Sequence, residues 1–254
     1  MLHPTARFST RVDNYIKYRP GYPPEALELL KAECGLTPRW TVADIGSGTG
    51  ILARLLLENG HRVFGIEPNR EMREAGERLL AGYPGFTSIA GTAEATTLPD
   101  GSVDLVTAAQ AAHWFDLRQA RTEVLRILRP GGWAALIWNN RRTDTTPFLR
   151  AYAHFVHEYG IAFETVNHAN LGPADFQAFF GPGGYQLRHF PNVQAFDLDG
   201  LAGRVLSSSY MPEPGHPNYE PMMAALAALF DAHQVNGQVG FEYDTDVFYG
   251  QPGE

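Results

Sequence analysis

The sequence predicts an α/β protein whose core is a doubly wound sheet of seven strands with helices on both faces. Three observations predict it. From Thr41 to Trp138, short apolar β-rich runs alternate with amphipathic helical stretches, the pattern of a parallel sheet covered on both sides. The first run passes straight into a glycine-rich turn and a helix, Val42-Ala-Asp-Ile-Gly46-Ser-Gly48-Thr-Gly50-Ile-Leu. Two more strand-like runs follow in the last third of the chain.

In order, the spacing predicts strands over Thr41–Ile45, Arg62–Ile66, Phe86–Ala90, Val103–Ala108 and Trp133–Trp138. Between them Ile51, Leu52, Leu55 and Leu56 share one helical face, Met72, Ala75 and Leu79 a second, and Val124, Leu125 and Leu128 a third. The third helix is expected to end in Leu128-Arg-Pro-Gly-Gly132, where Pro130 cannot continue it and two glycines allow a tight return. Ahead of the block, helices are expected over Arg11–Tyr18 and Pro24–Glu33. After it, a stretch to about Tyr185 rich in Phe, Tyr, His and Gly/Pro reads as helices and loops lying over the carboxyl edge of the sheet. The last two strands are placed at Tyr185–Phe196 and Val239–Tyr249, with helices at Leu201–Ser208 and Pro221–Gln234. The whole reads as one domain, 1–254, with a cap at 1–40, a cofactor-binding core at 41–140, a lid at 141–184 and terminal strands and helix at 185–254.

The 254 residues are 44% hydrophobic and 19% charged, an ordinary globular balance with enough apolar side chains for a packed core. A net charge of −8 opposes the phosphate-driven attraction that nucleic-acid binders use, so a nucleic-acid partner is not expected. A single cysteine, Cys34, leaves no internal disulfide and no cysteine zinc site, and suits a reducing compartment. The nine histidines are scattered without ligand spacing, so no metal is expected. Met1 to Arg11 has no apolar leader core and no run of about 18 apolar residues occurs, so a cytoplasmic protein without a membrane partner is expected.

The glycine turn carries the functional signal. Glycine is required where the backbone takes left-handed dihedrals and a ligand approaches too closely for a Cβ. About twenty residues on, the second strand ends in Gly65-Ile66-Glu67-Pro68, placing a carboxylate where it can accept both hydroxyls of a ribose. The turn reads Gly-x-Gly-x-Gly, with Ile51 where a dinucleotide fingerprint has its third glycine, which weakens a nicotinamide reading.

These residues resemble the class I S-adenosylmethionine-dependent methyltransferases, specifically the type 11 group, over Arg7 to about Asn140. The resemblance implies a Rossmann-like seven-stranded sheet, mostly parallel with the last strand antiparallel, and S-adenosylmethionine as cofactor with S-adenosylhomocysteine as product. It assigns Asp44, Gly46, Ser47, Gly48 and Gly50 to the methionine part of the cofactor and Glu67 to the ribose, with Pro68 and Met72 as further cofactor contacts. Gly91-Thr92-Ala93-Glu94 followed by Leu98-Pro99 is similar to the segment that holds the adenine edge. Many relatives carry Asp where this chain has Thr92, so the Ala93 backbone and Glu94 are the expected substitutes. The opening Phe8-Ser-x-Arg-Val-Asp-Asn-Tyr15-x-x-Tyr18-Arg19-Pro20-x-Tyr22-Pro23 resembles the amino-terminal cap of one branch, in which Tyr15, Tyr18 and Arg19 would close over the cofactor's amino-acid end. Arg19 suits a carboxylate there because its fork bonds in two places; the alternative is a surface arginine in a Pro-rich turn.

The fourth strand delivers Gln110-Ala-Ala-His113-Trp114-Phe115-Asp116 to the crevice where such folds bind ligands. In the resembling branch Gln110 lies near the methionine moiety and His-Trp-Phe at the boundary with the methyl acceptor. His113 is the candidate general base, its intrinsic pKa lying near neutrality. Trp114, Phe115, Trp138, Asn139 and Arg142 are candidate substrate contacts, with Arg141 or Arg142 the clamp if the acceptor bears a carboxylate. The alternatives are a capping and packing role for His113 and Trp114 and a solvated pair for the arginines. Tyr152, Phe155, Tyr159, Phe179 and Phe180 read as helix core or substrate wall. The Asp/Asn-Pro-Pro-Tyr/Phe signature of base-methylating enzymes is missing, so the expected substrate is a small molecule methylated on oxygen or nitrogen by in-line displacement. Two other classes fit less well: a nicotinamide-dependent oxidoreductase, and a cofactor-binding protein that does not methylate.

Overall fold

The computed structural model describes residues 11–161 and 171–253. Arg7, where the resemblance begins, Phe8 and Ser9, which open the amino-terminal motif, and residues 162–170 of the expected lid lie outside the described residues. Seven strands form one sheet in the order β3-β2-β1-β4-β5-β7-β6. They are β1 Thr41–Ile45, β2 Arg62–Ile66, β3 Phe86–Ile89, β4 Val103–Ala109, β5 Leu128–Arg141, β6 Gln186–Phe196 and β7 Val239–Gly250. The first five pair in parallel, and β7 runs antiparallel between β5 and β6.

Period-two alternation divides the core. Val42, Val63, Leu105, Ala135 and Ile137 face α2 (Pro24–Cys34) and α3 (Ile51–Glu58). Ala43, Ile45, Val106, Ala108, Leu136 and Trp138 face α5 (Leu117–Ile127) and α7 (Pro173–Phe180). Fully burying one such leucine or isoleucine contributes about 1.5–3 kcal/mol. Cys34 is buried in the first of these clusters, and burial pushes its thiol up to about 12, so it is a packing residue.

The helix before β5 ends earlier than expected. It stops at Ile127, and Leu128 is already extended and paired with Val103, whereas the next matched pair is Leu105 with Trp133. Arg129 to Gly132 are looped out in an irregularity of the strand, so Pro130 and the glycines serve a bulge rather than a helix stop. Helix starts follow local chemistry: the Asn69 side chain accepts from the Met72 N–H at α4 (Arg70–Leu80), and Asp116 caps α5 through the Arg118 and Gln119 N–H groups.

A third cluster sits at the carboxyl end of β5 and the adjoining ends of β6 and β7. Here α6 (Pro147–Tyr159), α8 (Leu198–Leu206) and α9 (Tyr219–His233) enclose Tyr152, Phe155, Leu201, Val205, Phe241 and Tyr243. The stretch expected to lie over the sheet edge is thus divided: α6 joins this cluster, while α7 buries Phe176, Phe179 and Phe180 on the flank of the sheet. Tyr152, Phe155, Phe179 and Phe180 are core, with Tyr159 packed at the margin. Finally α1 (Val12–Tyr18) lays its Tyr18 ring on Gly203 of α8. No helix among the described residues is long and apolar enough to cross a membrane.

Candidate active site

At the carboxyl ends of β1, β2 and β4 lies a cavity of about 380 Å³. Its walls are Tyr15 from α1, Gly46 and Gly48 from the turn after β1, Glu67, Pro68, Asn69 and Met72 after β2, Thr92, Ala93 and Glu94 after β3, and Ala109, Gln110, Ala111, Trp114 and Phe115 after β4. Ligand crevices of open α/β sheets form at this end because the connections on either side of β1 and β4 diverge. A small annexe, sharing Tyr15, Gly46 and Ala109 with the cavity, is lined by Tyr22, Asp44, Ser47, Ile51 and Leu52. A larger open cleft at the opposite end of the sheet takes half of its lining residues from Gly and Pro, and the one cation among them, Arg129, is ion-paired with Asp104.

The turn is shaped by sterics. Gly46 has φ +70°, and a Cβ there would stand 2.6 Å from the Ala111 Cβ, so only glycine lets the turn close against the end of β4. Gly50, φ +86°, packs on Leu80 and does not reach the cavity. Gln110 holds φ +55°, an unusual backbone for a side chain of its kind, fixed by its N–H on the Ile137 carbonyl and its side-chain amide on the Asn139 carbonyl, 3.1 Å.

Two buried carboxylates define the electrostatics. Glu67 accepts from the Gly48 N–H through Oε2 at 2.9 Å and from the Asn69 N–H through Oε1 at 2.8 Å. Each oxygen keeps a second lone pair for a ligand. Burial raises its carboxyl above the ordinary value, and the two amides only partly offset that. Asp44 is 1% exposed; Oδ1 accepts from Thr107 Oγ1 at 2.8 Å, while Oδ2 is buried without a partner. Desolvation lifts Asp44 to about 7 against the Thr107 hydrogen bond. A buried carboxylate oxygen without a partner is unfavourable unless a ligand's donor completes it.

This sets a pH prediction. The folded protein keeps a proton on Asp44 that the unfolded chain releases from its ordinary value of 3.8 upward, so Asp44 lowers apoprotein stability as pH rises through about 7. Asp44→Asn is expected to melt above wild type at pH 8, with the gap closing below about pH 4. Thermal unfolding of both proteins across that range checks it; a constant gap at every pH would remove the titration.

The other expected site residues are dispersed. Tyr18 docks on α8. Arg19 lies beside the cavity, its guanidinium 5.0 Å from the Tyr15 ring, its Nη2 donating to the Ser207 carbonyl at 2.8 Å and its Nε buried without a partner. Trp114 and Phe115 wall the same cavity as Glu67 and Thr92. Glu94 uses Oε1 to accept from the Asp116 N–H at 2.9 Å, which ties the wall after β3 to the start of α5. His113 does not line the cavity; its Nδ1 accepts from Trp138 Nε1 at 3.4 Å, and Trp138 is buried against Phe176 and Phe248. Asn139 is spent on Gly21, Asn192 and Thr245, anchoring the cap to β5. Arg142 is spent on a two-pronged ion pair with Asp244, 3.0 and 2.6 Å, and does not line the cavity. The sequence reading missed Asn69, Ala109, Ala111 and Tyr22; Asn69 was signalled as the N-cap residue three before Met72.

The parallel sheet with its antiparallel β7 thus carries a glycine turn after β1 and a buried carboxylate at the end of β2. Residues 43–136 match the type 11 "Methyltransferase domain" family model. An uncharacterized methyltransferase of Mycobacterium tuberculosis is 42% identical over 134 residues, 53% of this chain and 52% of that protein, so the match spans about half the length of such relatives. Among solved structures, a methyltransferase from Anaeromyxobacter dehalogenans superposes with a TM-score of 0.69 at 22% identity, covering 92% of this chain and 98% of that one. A SAM-dependent methyltransferase from Geobacter sulfurreducens, solved in complex with S-adenosyl-L-homocysteine, has a TM-score of 0.54 at 18% identity and covers 100% of both chains. These two share the fold. Among the described residues no group of His, Cys, Asp and Glu is arranged to hold a metal ion.

Proposed function

We propose that the protein transfers a methyl group from S-adenosylmethionine to an oxygen or nitrogen of a small molecule by in-line displacement. The observation that carries it is Glu67, held by two backbone N–H groups with a lone pair of each oxygen free for a ribose diol, in a cavity of a nucleoside's size. The residues fit the cofactor part by part. Thr92, Ala93 and Glu94 opposite Trp114 and Phe115 would hold the adenine, Glu67 the ribose, the glycine turn and Gln110 the methionine chain, Asp44 in the annexe the ammonium, and Arg19 beside Tyr15 the carboxylate. When bound, S-adenosylmethionine supplies an electrophilic methyl group on a sulfonium whose sulfur keeps the bonding pair. The chain's own work is then positioning and water exclusion. Tyr15, Trp114 and Phe115 close the walls, and the strained Gln110 backbone aims the end of β4 at the reacting centre. His113 stands behind the wall and supports Trp138, so the reading favours an acceptor that arrives deprotonated over one that needs a base. The net charge of −8 supports a small molecule over a polyanionic surface.

Calorimetry with S-adenosylmethionine, S-adenosylhomocysteine and NAD is expected to show tight binding of the first two and none of the third. A preference for NAD overturns the reading. Labelled methyl transfer into a metabolite extract then separates a methyltransferase from a protein that only binds the cofactor.

A further inference from the structure

Three guanidiniums converge at the carboxyl end of β5 with no carboxylate among the described residues to neutralise them. Arg204 on α8 is 4% exposed; its Nη1 donates to Ser208 Oγ at 3.0 Å and Ser207 Oγ at 3.4 Å, and its Nε to the Tyr243 hydroxyl at 3.4 Å. Arg141, the last residue of β5, is paired across the sheet with Tyr243; its guanidinium lies 4.6 Å from the Tyr152 ring centroid and its Nε is buried without a partner. Arg19 reaches Ser207, which Arg204 also touches, and rests on Tyr15 of the cofactor cavity. All three act on one phenol, Tyr210. Burial would raise it, but the fields of Arg141, Arg204 and Arg19, together with a hydrogen bond to Ser208, hold it below its ordinary value.

Nearby arginines show that the chain can neutralise such groups. Arg11 grips the same loop through the carbonyls of Leu206, Ser208 and Met211, and it carries Glu213 at 3.0 Å. Arg142, one residue from Arg141, has Asp244. Acids are not scarce, with 28 Asp and Glu against 20 Lys and Arg. Cations withdrawn from water without counter-charge are strongly unfavourable, and a fold keeps them where a ligand completes the pair.

We propose that Arg141 and Arg204 are the acceptor clamp, and that the acceptor is a small acid with two or more carboxylates, one of which is methylated. The inference rests on the methyltransferase reading, which gives Arg19 the cofactor's carboxylate and leaves two forks for the acceptor. Arginine forks bond carboxylates in two places. Two forks on separate elements suit separated carboxylates better than one compact phosphate. The chemistry needs no base: a carboxylate oxygen lone pair forms the new O–C bond, the C–S pair stays on sulfur, one negative charge is lost and no proton moves. The product is a methyl ester. No histidine or lysine among the described residues lines the cavity, in keeping with that.

The test is calorimetry on the full chain with propane-1,2,3-tricarboxylate, its trimethyl ester and inorganic phosphate, each with and without S-adenosylhomocysteine, on wild type, Arg141→Gln and Arg141→Lys. Arg141 is only half-buried, and unfolding curves on the same samples verify the fold. The tricarboxylate is expected to bind saturably, about 10-fold or more weaker in Arg141→Gln and partly restored in Arg141→Lys, with S-adenosylhomocysteine affinity held within about 2-fold. An ester that binds as well as the acid, an Arg141→Gln variant that binds like wild type, or phosphate that displaces the acid at equal concentration each overturns it. If wild type binds the acid through Arg141 yet not S-adenosylhomocysteine, the cofactor reading falls and the arginine clamp stands.

Discussion

Glu67→Gln is expected to weaken S-adenosylhomocysteine binding by about 100-fold or more, the largest loss in affinity for any single substitution in this cavity. Two effects add. Each hydrogen bond from a ligand hydroxyl to a carboxylate contributes about 1.5–3 kcal/mol, and a glutamine offers one acceptor oxygen where the carboxylate offers two. The second effect is local: Glu67 also receives the Gly48 and Asn69 N–H groups. A glutamine must turn its NH₂ toward one of these donors, so a buried N–H loses its acceptor and the turn after β1 loses its tie to the end of β2. Glu67→Asp keeps the charge on a shorter stem and should fall between the two. Calorimetry with S-adenosylhomocysteine on all three proteins measures this. Should Glu67→Gln bind within about threefold of wild type, the assignment of Glu67 to the ribose is lost.

The legibility of this site in the sequence follows how local each part is. Asp44, the turn glycines and Glu67 sit within one strand–turn–helix–strand run, and the pairing of β1 with β2 from Thr41↔Arg62 to Ile45↔Ile66 has the bounds their apolar runs indicate. Thr92 to Glu94 and Gln110 to Phe115 follow strands of the same sheet, and they meet Glu67 because parallel strands deliver their carboxyl ends together. What was illegible depends on strand length or on distant contacts. Once β5 is known to run to Arg141, the alternation of a strand separates Arg141 from Arg142: one turns toward Tyr152, the other to Asp244. The sequence pattern stopped that strand at Trp138 because Asn139 to Arg142 are polar, and the pairing with β7 that extends it cannot be seen locally. Leu128 was read as helix because its apolar side chain continues the stripe of Val124, whereas pairing with Val103 takes it. The Arg19, Arg141 and Arg204 cluster draws on α1, β5 and α8, so no window of sequence contains it.

Gly203→Ala should carry the largest cost in stability, about 1–3 kcal/mol or more, at a position where helix propensity alone predicts a gain of nearly 1 kcal/mol. A Cβ on Gly203 would stand 1.9 Å from Tyr18 Cε2 and 2.3 Å from Cδ2, far inside van der Waals contact. The ring is held at this contact by its edge-on packing with Phe196, ring centroids 6.3 Å apart. The helix must therefore lift from α8, and it carries Tyr15, which walls the cavity, and leads into Arg19, which holds Ser207. Loss of stability and loss of S-adenosylhomocysteine affinity should appear together in this variant, although Gly203 touches no ligand. The double-mutant cycle isolates the cause. In a Tyr18→Ala background the added methyl meets no ring, and Gly203→Ala should turn from destabilising to neutral or stabilising. If the substitution costs the same with and without the tyrosine, the strain lies elsewhere in α8. The inverted sign would instead place Tyr18 as the residue that fastens the cap to the helical layer, leaving contact with the cofactor to Tyr15.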